Sequence, residues 1–187
     1  MKMAKKFLAV VLAGVLALSV LTGCGNAAST KTIADAMSDM GKAEEVEFKA
    51  DSKLNEKAKA IANKWVELEN TEFDTEDEYV KAMKKSFMDI MGETYNNKYV
   101  FVAVTETKGY NVTAQAYNLL EDANSNGNIN SAVGWDKGTT PANVRYIGTA
   151  TITVDGEGYR VAVITAGAEE VKKPENNKNE EIDGEEK

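Results

Sequence analysis

The chain alternates between stretches with the hydrophobic period of a helix and stretches with that of a strand. The clearest helical stripe is formed by apolar residues spaced four, three, four and three positions apart, which places them on one face of a helix. These residues are Leu54, Ala58, Ile61, Trp65 and Leu68. Charged residues occupy many positions between them, so the pattern predicts a surface helix whose apolar side packs on a core.

A second helix is predicted after a capping box. Thr75 is followed three residues later by Glu78, the spacing at which the two side chains satisfy the first N–H groups of a helix. Gly92 suits the end of this helix, because glycine adopts positive φ without strain. Shorter helices are predicted over residues 32–42 and 112–121. The apolar face of the capped helix comprises Tyr79, Met83, Phe87 and Ile90.

Strand-like patterns fill the rest of the domain. "EVEFKA" (45–50) alternates, and "KYVFVAVTET" (98–107) is apolar enough to predict a central strand. Two further alternating strands, 145–154 and 159–166, are separated by "DGEG", which predicts a tight turn and a C-terminal antiparallel hairpin. The threonine face of the first should be only partly buried. Helices before and between strands predict an α+β domain over residues 32–167.

The amino terminus predicts export. Three early lysines precede the apolar run "FLAVVLAGVLALSVL", and "LTGC" follows at residues 21–24, the order of a signal peptide and its processing site. The run is shorter than the roughly 20 residues of a membrane-spanning helix, which makes a transmembrane anchor the less favoured alternative. "LTGC" resembles the bacterial lipobox. The resemblance implies that residues 1–23 are removed and that Cys24 carries a diacylglyceryl lipid.

Lipidation of Cys24 would fix the location of the protein. Stable anchoring needs at least two acyl chains, which a diacylglyceryl cysteine provides, so we expect attachment to the extracytoplasmic face of the cell membrane. Cys24 is the only cysteine, so no intramolecular disulfide is possible. The short tether 24–31 and the charged tail 168–187 contain too few apolar residues to fold, and the tail is predicted to be a disordered acidic extension.

The charge of the chain excludes one class of partner. Its formal net charge is -8, and removal of the three lysines of the leader would take it to -11. Such a chain is repelled by nucleic acid and by anionic headgroups. We therefore expect no nucleic-acid partner, and contact with the membrane only through the lipid on Cys24.

Residues 122–133, "DANSNGNINSAV", begin like a calcium-binding loop. Asp122, Asn124, Asn126 and Gly127 fall at positions one, three, five and six of an EF-hand, but Val133 stands where the bidentate acid should be. The stretch also resembles one calcium loop of a dockerin module, which carries two such loops. Any calcium affinity should be about millimolar or weaker. We predict an ordinary polar turn and no metal site.

Catalytic chemistry is sparse. The chain has no histidine, which removes the commonest general base, the usual zinc ligand and the middle member of a Ser/His/Asp triad. No phosphate-binding, dinucleotide-binding or hydrolase motif is present. A carboxylate pair could still hydrolyse a glycoside, with Glu93, Glu106 and Asp136 as conceivable members. We predict that these acids are solvated surface residues, and we predict no catalytic residue and no cofactor.

The order of the elements resembles a divergent CAP domain, the cysteine-rich secretory, antigen 5 and pathogenesis-related superfamily, over roughly residues 32 to 166. "DSKLNEKAKAIANKW" is similar to one helix of that family, and "GET" at 92–94 and "SNGNIN" at 125–130 are similar to two of its turns. "YIGTATITVDGEGYRVAVIT" is similar to its closing strands. The resemblance implies an α-β-α sandwich and matches Glu93 to a cleft acid. Without histidine, the metal site of the family is not implied.

Three functions are compatible with these features. The favoured one is a non-catalytic, membrane-anchored lipoprotein that presents a ligand- or protein-binding module at the bacterial cell surface. The second is a carboxylate-dependent hydrolase of cell-wall glycans. The third is an adhesion element weakly tuned by calcium. The sequence does not identify the ligand.

Overall fold

The computed structural model describes residues 29–171, so Cys24, the predicted signal peptide and nearly all of the acidic tail lie outside the described residues. The described chain contains four α-helices and four strands, which confirms the α+β class. The helices are α1 (Thr30–Gly41), α2 (Ser52–Glu69), α3 (Glu76–Met91) and α4 (Val112–Asn126). The strands are β1 (Glu47–Ala50), β2 (Lys98–Glu106), β3 (Thr139–Val154) and β4 (Glu157–Glu170). The folded unit therefore reaches past both limits predicted for it.

The strands form one mixed sheet in the order β1-β3-β4-β2. β1 pairs parallel with β3, whereas β4 pairs antiparallel with both β3 and β2. Asp155 and Gly156 connect β3 to β4, and both have positive φ. The prediction of a central strand over 98–107 was wrong, because β2 lies at an edge of the sheet. It has the composition of a central strand because helices cover both of its faces.

Each helix begins at a residue whose side chain accepts a hydrogen bond from the first turn, as stable helix starts require. Thr75 accepts from Glu78 N–H, which confirms the predicted start of α3. Gly92, with a φ of 84°, ends that helix as predicted. The other capping residues are Ser29, Asp51 and Asn111.

The helices cover both faces of the sheet and enclose two cores. On β4, Ala162 and Ile164 lie in the core with α1 and α4, whereas Val161 and Val163 lie in the core with α2 and α3. This alternation places the sheet as the middle of three layers. Gly148 on β3 lets α2 approach closely, because a Cβ there would lie 2.1 Å from the backbone of Leu54.

The threonine face of β3 is partly buried, as predicted, because Thr151 and Thr153 are half-buried. Thr149 is more buried than the rest of this face, at 8% exposed, because α1 and α4 cover this side of the sheet. Its hydroxyl contacts that of Thr30 at 2.8 Å, at the start of α1. A hydrogen bond between the hydroxyls allows a threonine to be buried there.

Candidate functional site

Most of the calcium-like spacing in residues 122–133 belongs to a helix. α4 continues to Asn126, beyond the predicted end at 121, so Asp122, Asn124 and Asn126 lie on a helix instead of curving around an ion. Asp122 Oδ2 accepts a hydrogen bond from the N–H of Val104 at 2.7 Å, and Oδ1 accepts one from Asn126. The carboxylate therefore accepts a hydrogen bond at the outer edge of β2, where the N–H groups of an edge strand have no neighbouring strand to pair with.

Asn128 fixes the turn after α4 to the same edge. Its Oδ1 accepts from the N–H of Val100 at 2.9 Å, and its amide donates to the carbonyl of Val133 at 2.9 Å. The N–H of Ile129 donates to the carbonyl of Val100, and its side chain is 5% exposed. Asn128 and Ile129 therefore hold this turn against β2 and the core.

Asn130 uses its side-chain amide to donate to three carbonyls that precede or begin β2. These belong to Tyr95, Asn96 and Lys98, at 3.1, 3.0 and 2.8 Å. The polar groups of the turn are thus used within the protein. Between residues 29 and 171, no group of three or more acidic, histidine or cysteine side chains could hold a metal ion.

The three acids that could form a hydrolytic pair are exposed. Glu93 lies on a 3-10 turn before β2, whereas Glu106 is the last residue of β2. A nine-residue strand spans roughly 25–30 Å. Paired carboxylates of glycosidases lie about 5–9.5 Å apart, so these two cannot act together. Asp136 lies on another 3-10 turn and pairs with Lys137 at 3.1 Å.

A buried arginine lies between the sheet and the starts of α1 and α4. Arg160 on β4 is 5% exposed and forms no salt bridge within the described chain. Its Nε donates to Gln115 Oε1 at 2.9 Å and its Nη1 to Thr149 at 3.2 Å. Burial lowers the pKa of Arg160. The strand alternation that turns Arg160 inward was the only sequence signal for it.

A second polar cluster lies at the end of α2. Glu69 accepts hydrogen bonds from the hydroxyl of Tyr79 and, at 3.1 Å, from the indole of Trp65. Burial, together with the hydrogen bond and charge of Glu69, raises the pKa of Tyr79. Trp65 packs edge-on against Tyr159, with ring centroids 6.0 Å apart. The hydrogen bond from Tyr79 to Glu69 joins α3 to α2, so this cluster is a structural junction between the two helices.

Trp135, unlike the packed Trp65, is exposed to solvent. It is 74% exposed, the largest fraction among the exposed large hydrophobic residues of the described chain. It lies on a 3-10 turn before β3, beside an open groove of about 480 Å³. The groove is lined by Trp135, Lys137, Gly138, Thr139, Glu170 and Val171. This site was not predicted from the sequence, although Gly134 and Gly138 lie on either side of the tryptophan as in a turn.

Comparison with protein-family models, with curated proteins and with solved structures finds no match for this chain. Within residues 29–171, no helix has both the length and the apolar character needed to cross a membrane. The groove at Trp135 is therefore interpreted from its own geometry.

Proposed function

We propose that this protein is a lipoprotein, anchored through Cys24 to the extracytoplasmic face of the cell membrane, that presents a non-catalytic ligand-binding module. "LTGC" at residues 21–24 supports the anchor. We further propose that the module is a divergent CAP-like sandwich. Helices on both faces of the sheet and antiparallel closing strands support that relationship.

The observation that carries the proposal is the exposed Trp135 beside an open groove. Tryptophan is enriched among the residues that dominate binding energy at interfaces, and Trp135 is 74% exposed, where a partner can reach it. The acids named from the sequence do not surround this groove as a reacting pair would. Binding without turnover accounts for these features.

The position of the groove fits display from a membrane. α1 begins at Thr30, whose hydroxyl contacts Thr149 on β3, ten residues along that strand from Thr139 in the groove. Ten strand residues span about 30 Å. The five residues from Cys24 to residue 28 can extend by at most about 18 Å. The groove therefore lies at the end of the sheet away from the anchored terminus.

The anchor is tested by expressing the full chain in a bacterial host. The intact mass of the membrane fraction should match a chain that begins at Cys24 and carries a diacylglyceryl group, and the protein should float with lipid vesicles. The Cys24→Ala variant should retain its leader and yield no lipidated product. An intact leader or a free thiol in the native chain would refute the anchor.

A further inference from the structure

We infer that the groove beside Trp135 binds a neutral saccharide, with one sugar ring stacked on the indole. This inference rests on the proposed function, because it names the ligand class of the same surface. It is argued from the rigidity of the turn, the charges that line the groove and the exposed indole beside it.

The turn that carries Trp135 is rigid. Its carbonyl accepts from the N–H of Gly138 at 3.0 Å, and the carbonyl of Gly134 accepts from the N–H groups of Lys137 and Thr139. The Thr139 hydroxyl contacts both the N–H and the carbonyl of Gly134. The hydroxyl of Tyr99 donates to the Thr139 carbonyl at 2.6 Å and ties the turn to β2. The backbone that carries the indole is therefore held in one conformation before a ligand binds.

The groove offers a flat apolar surface beside polar groups. The indole can cover the C–H face of a pyranose, while hydroxyl groups of the same sugar reach Lys137 or Glu170 at the rim. Lys137 is already paired with Asp136 at 3.1 Å, and Glu170 is negative, so the rim offers no unpaired positive charge to hold an anionic ligand. The overall charge of -8 further disfavours a polyanion.

A peptide helix fits this surface less well. A helix that docks in a groove inserts several apolar residues at spacings of three and four, and it needs an apolar trough to receive them. Here one aromatic side chain is followed by charged and small residues. One ring stacked on one indole uses every feature of the site.

The test uses the full-length lipidated protein in vesicles and two neutral probes, the β-1,4-linked tetramers of glucose and of N-acetylglucosamine. Calorimetry measures binding, and tryptophan fluorescence reports stacking. We expect at least one tetramer to bind with a Kd in the micromolar to low millimolar range. Trp135→Ala should weaken binding at least tenfold, and Trp135→Phe should weaken it less because an aromatic face remains.

Tyr117→Ala provides the matched control, because Tyr117 is 54% exposed on α4 and does not line the groove. Its affinity should equal that of the unchanged protein. The melting temperature of Trp135→Ala should also be unchanged, since the side chain is mostly in water. Loss of binding then reports a lost contact and not a lost fold.

Three results would overturn the inference. The first is that neither tetramer binds with a Kd below 10 mM. The second is that Trp135→Ala binds as tightly as the unchanged protein. The third is that Trp135 mediates only self-association, which would appear as a concentration-dependent mass that the alanine variant loses. Failure of the anchor is measured separately, by mass. A lipidated protein that binds neither sugar refutes the ligand class alone, whereas an unlipidated protein that binds sugar refutes the anchor alone.

Discussion

Helices cover the two faces of the sheet in the same manner, but different chemistry fills the two interiors. Under α2 and α3, aliphatic side chains of β2, β3 and β4 meet Leu54, Ile61 and Phe87. Under α1 and α4, apolar residues share the space with Arg160 and its partners. One face is held by the removal of apolar area from water, and the other also depends on hydrogen bonds that must all be formed.

Because of this difference, the two faces should contribute differently to the stability of the fold and to the placement of its helices. Apolar packing tolerates small rearrangements, and its free energy scales with the area buried. A buried polar network instead admits one arrangement, because each unpartnered donor costs about 1–3 kcal/mol. The α1 and α4 side should therefore contribute more to the unique placement of helices, and the α2 and α3 side more to stability.

The largest expected effect is on the apolar face. Ile61 is 0% exposed within α2, so Ile61→Ala should lower the free energy of unfolding by about 2–5 kcal/mol through lost burial and a residual cavity. Urea denaturation measures it. Val144→Ala, at a residue 38% exposed, should change stability by about 0.5 kcal/mol or less. A loss below about 1 kcal/mol for Ile61→Ala would show that this face is not the main source of stability.

A smaller effect is expected on the polar face. Gln115→Ala removes the acceptor of Arg160 Nε and should cost about 1–3 kcal/mol by leaving a buried donor unpaired. The double variant Gln115→Leu with Arg160→Met removes both polar partners and should unfold at a higher urea concentration than Gln115→Ala. Equal or lower stability of the double variant would contradict this account.

The apolar face could be predicted from the sequence because its signal is local. The spacing from Leu54 to Leu68 and the cap at Thr75 identify the two helices from residues that are close together in sequence. The place of β2 in the sheet could not be predicted, because a central strand and an edge strand covered on both faces have the same apolar sequence pattern. The burial of Thr149 depends on Arg160 and Thr30, which are distant in sequence.

The candidate site was harder to predict than the fold. The acids were chosen from the sequence by their residue type. Trp135 can be recognised as a candidate binding residue only when its exposure is known. Trp135 belongs to no periodic stretch, whereas the spacing of apolar residues placed Trp65 on the inner face of α2. The groove itself joins residues 135–139 to Glu170, which pairs with Thr139 at the end of β3 and β4 away from their connecting turn, although the two are far apart in sequence.

A pH-dependent effect is expected at the rim of the apolar face. Tyr79 keeps its proton to higher pH in the folded chain than in the unfolded chain, because of burial and Glu69. Stability from this group is therefore fully present below the ordinary tyrosine pKa of about 10 and falls as pH rises above it. Urea denaturation at pH 8 and pH 10.5 should show a smaller alkaline loss for Tyr79→Phe than for the unchanged protein.

Tyr95 and Tyr159 also have raised pKa values, mainly through burial, so the substitution should reduce the alkaline loss without abolishing it. Tyr110→Phe, which removes the hydroxyl of an exposed tyrosine, is the matched control. An alkaline loss in Tyr79→Phe equal to that of the unchanged protein would rule out this role for Tyr79.

The smallest expected effect tests whether the polar groups beside α4 serve the fold alone. Both carboxylate oxygens of Asp122 accept hydrogen bonds within the protein, so millimolar calcium should leave the melting temperature unchanged relative to equal magnesium. Asp122→Ala should melt lower with or without calcium, because the N–H of Val104 loses its acceptor. If calcium stabilised the unchanged protein but not this variant, Asp122 would be an ion ligand, and the polar residues on this side would have a second use.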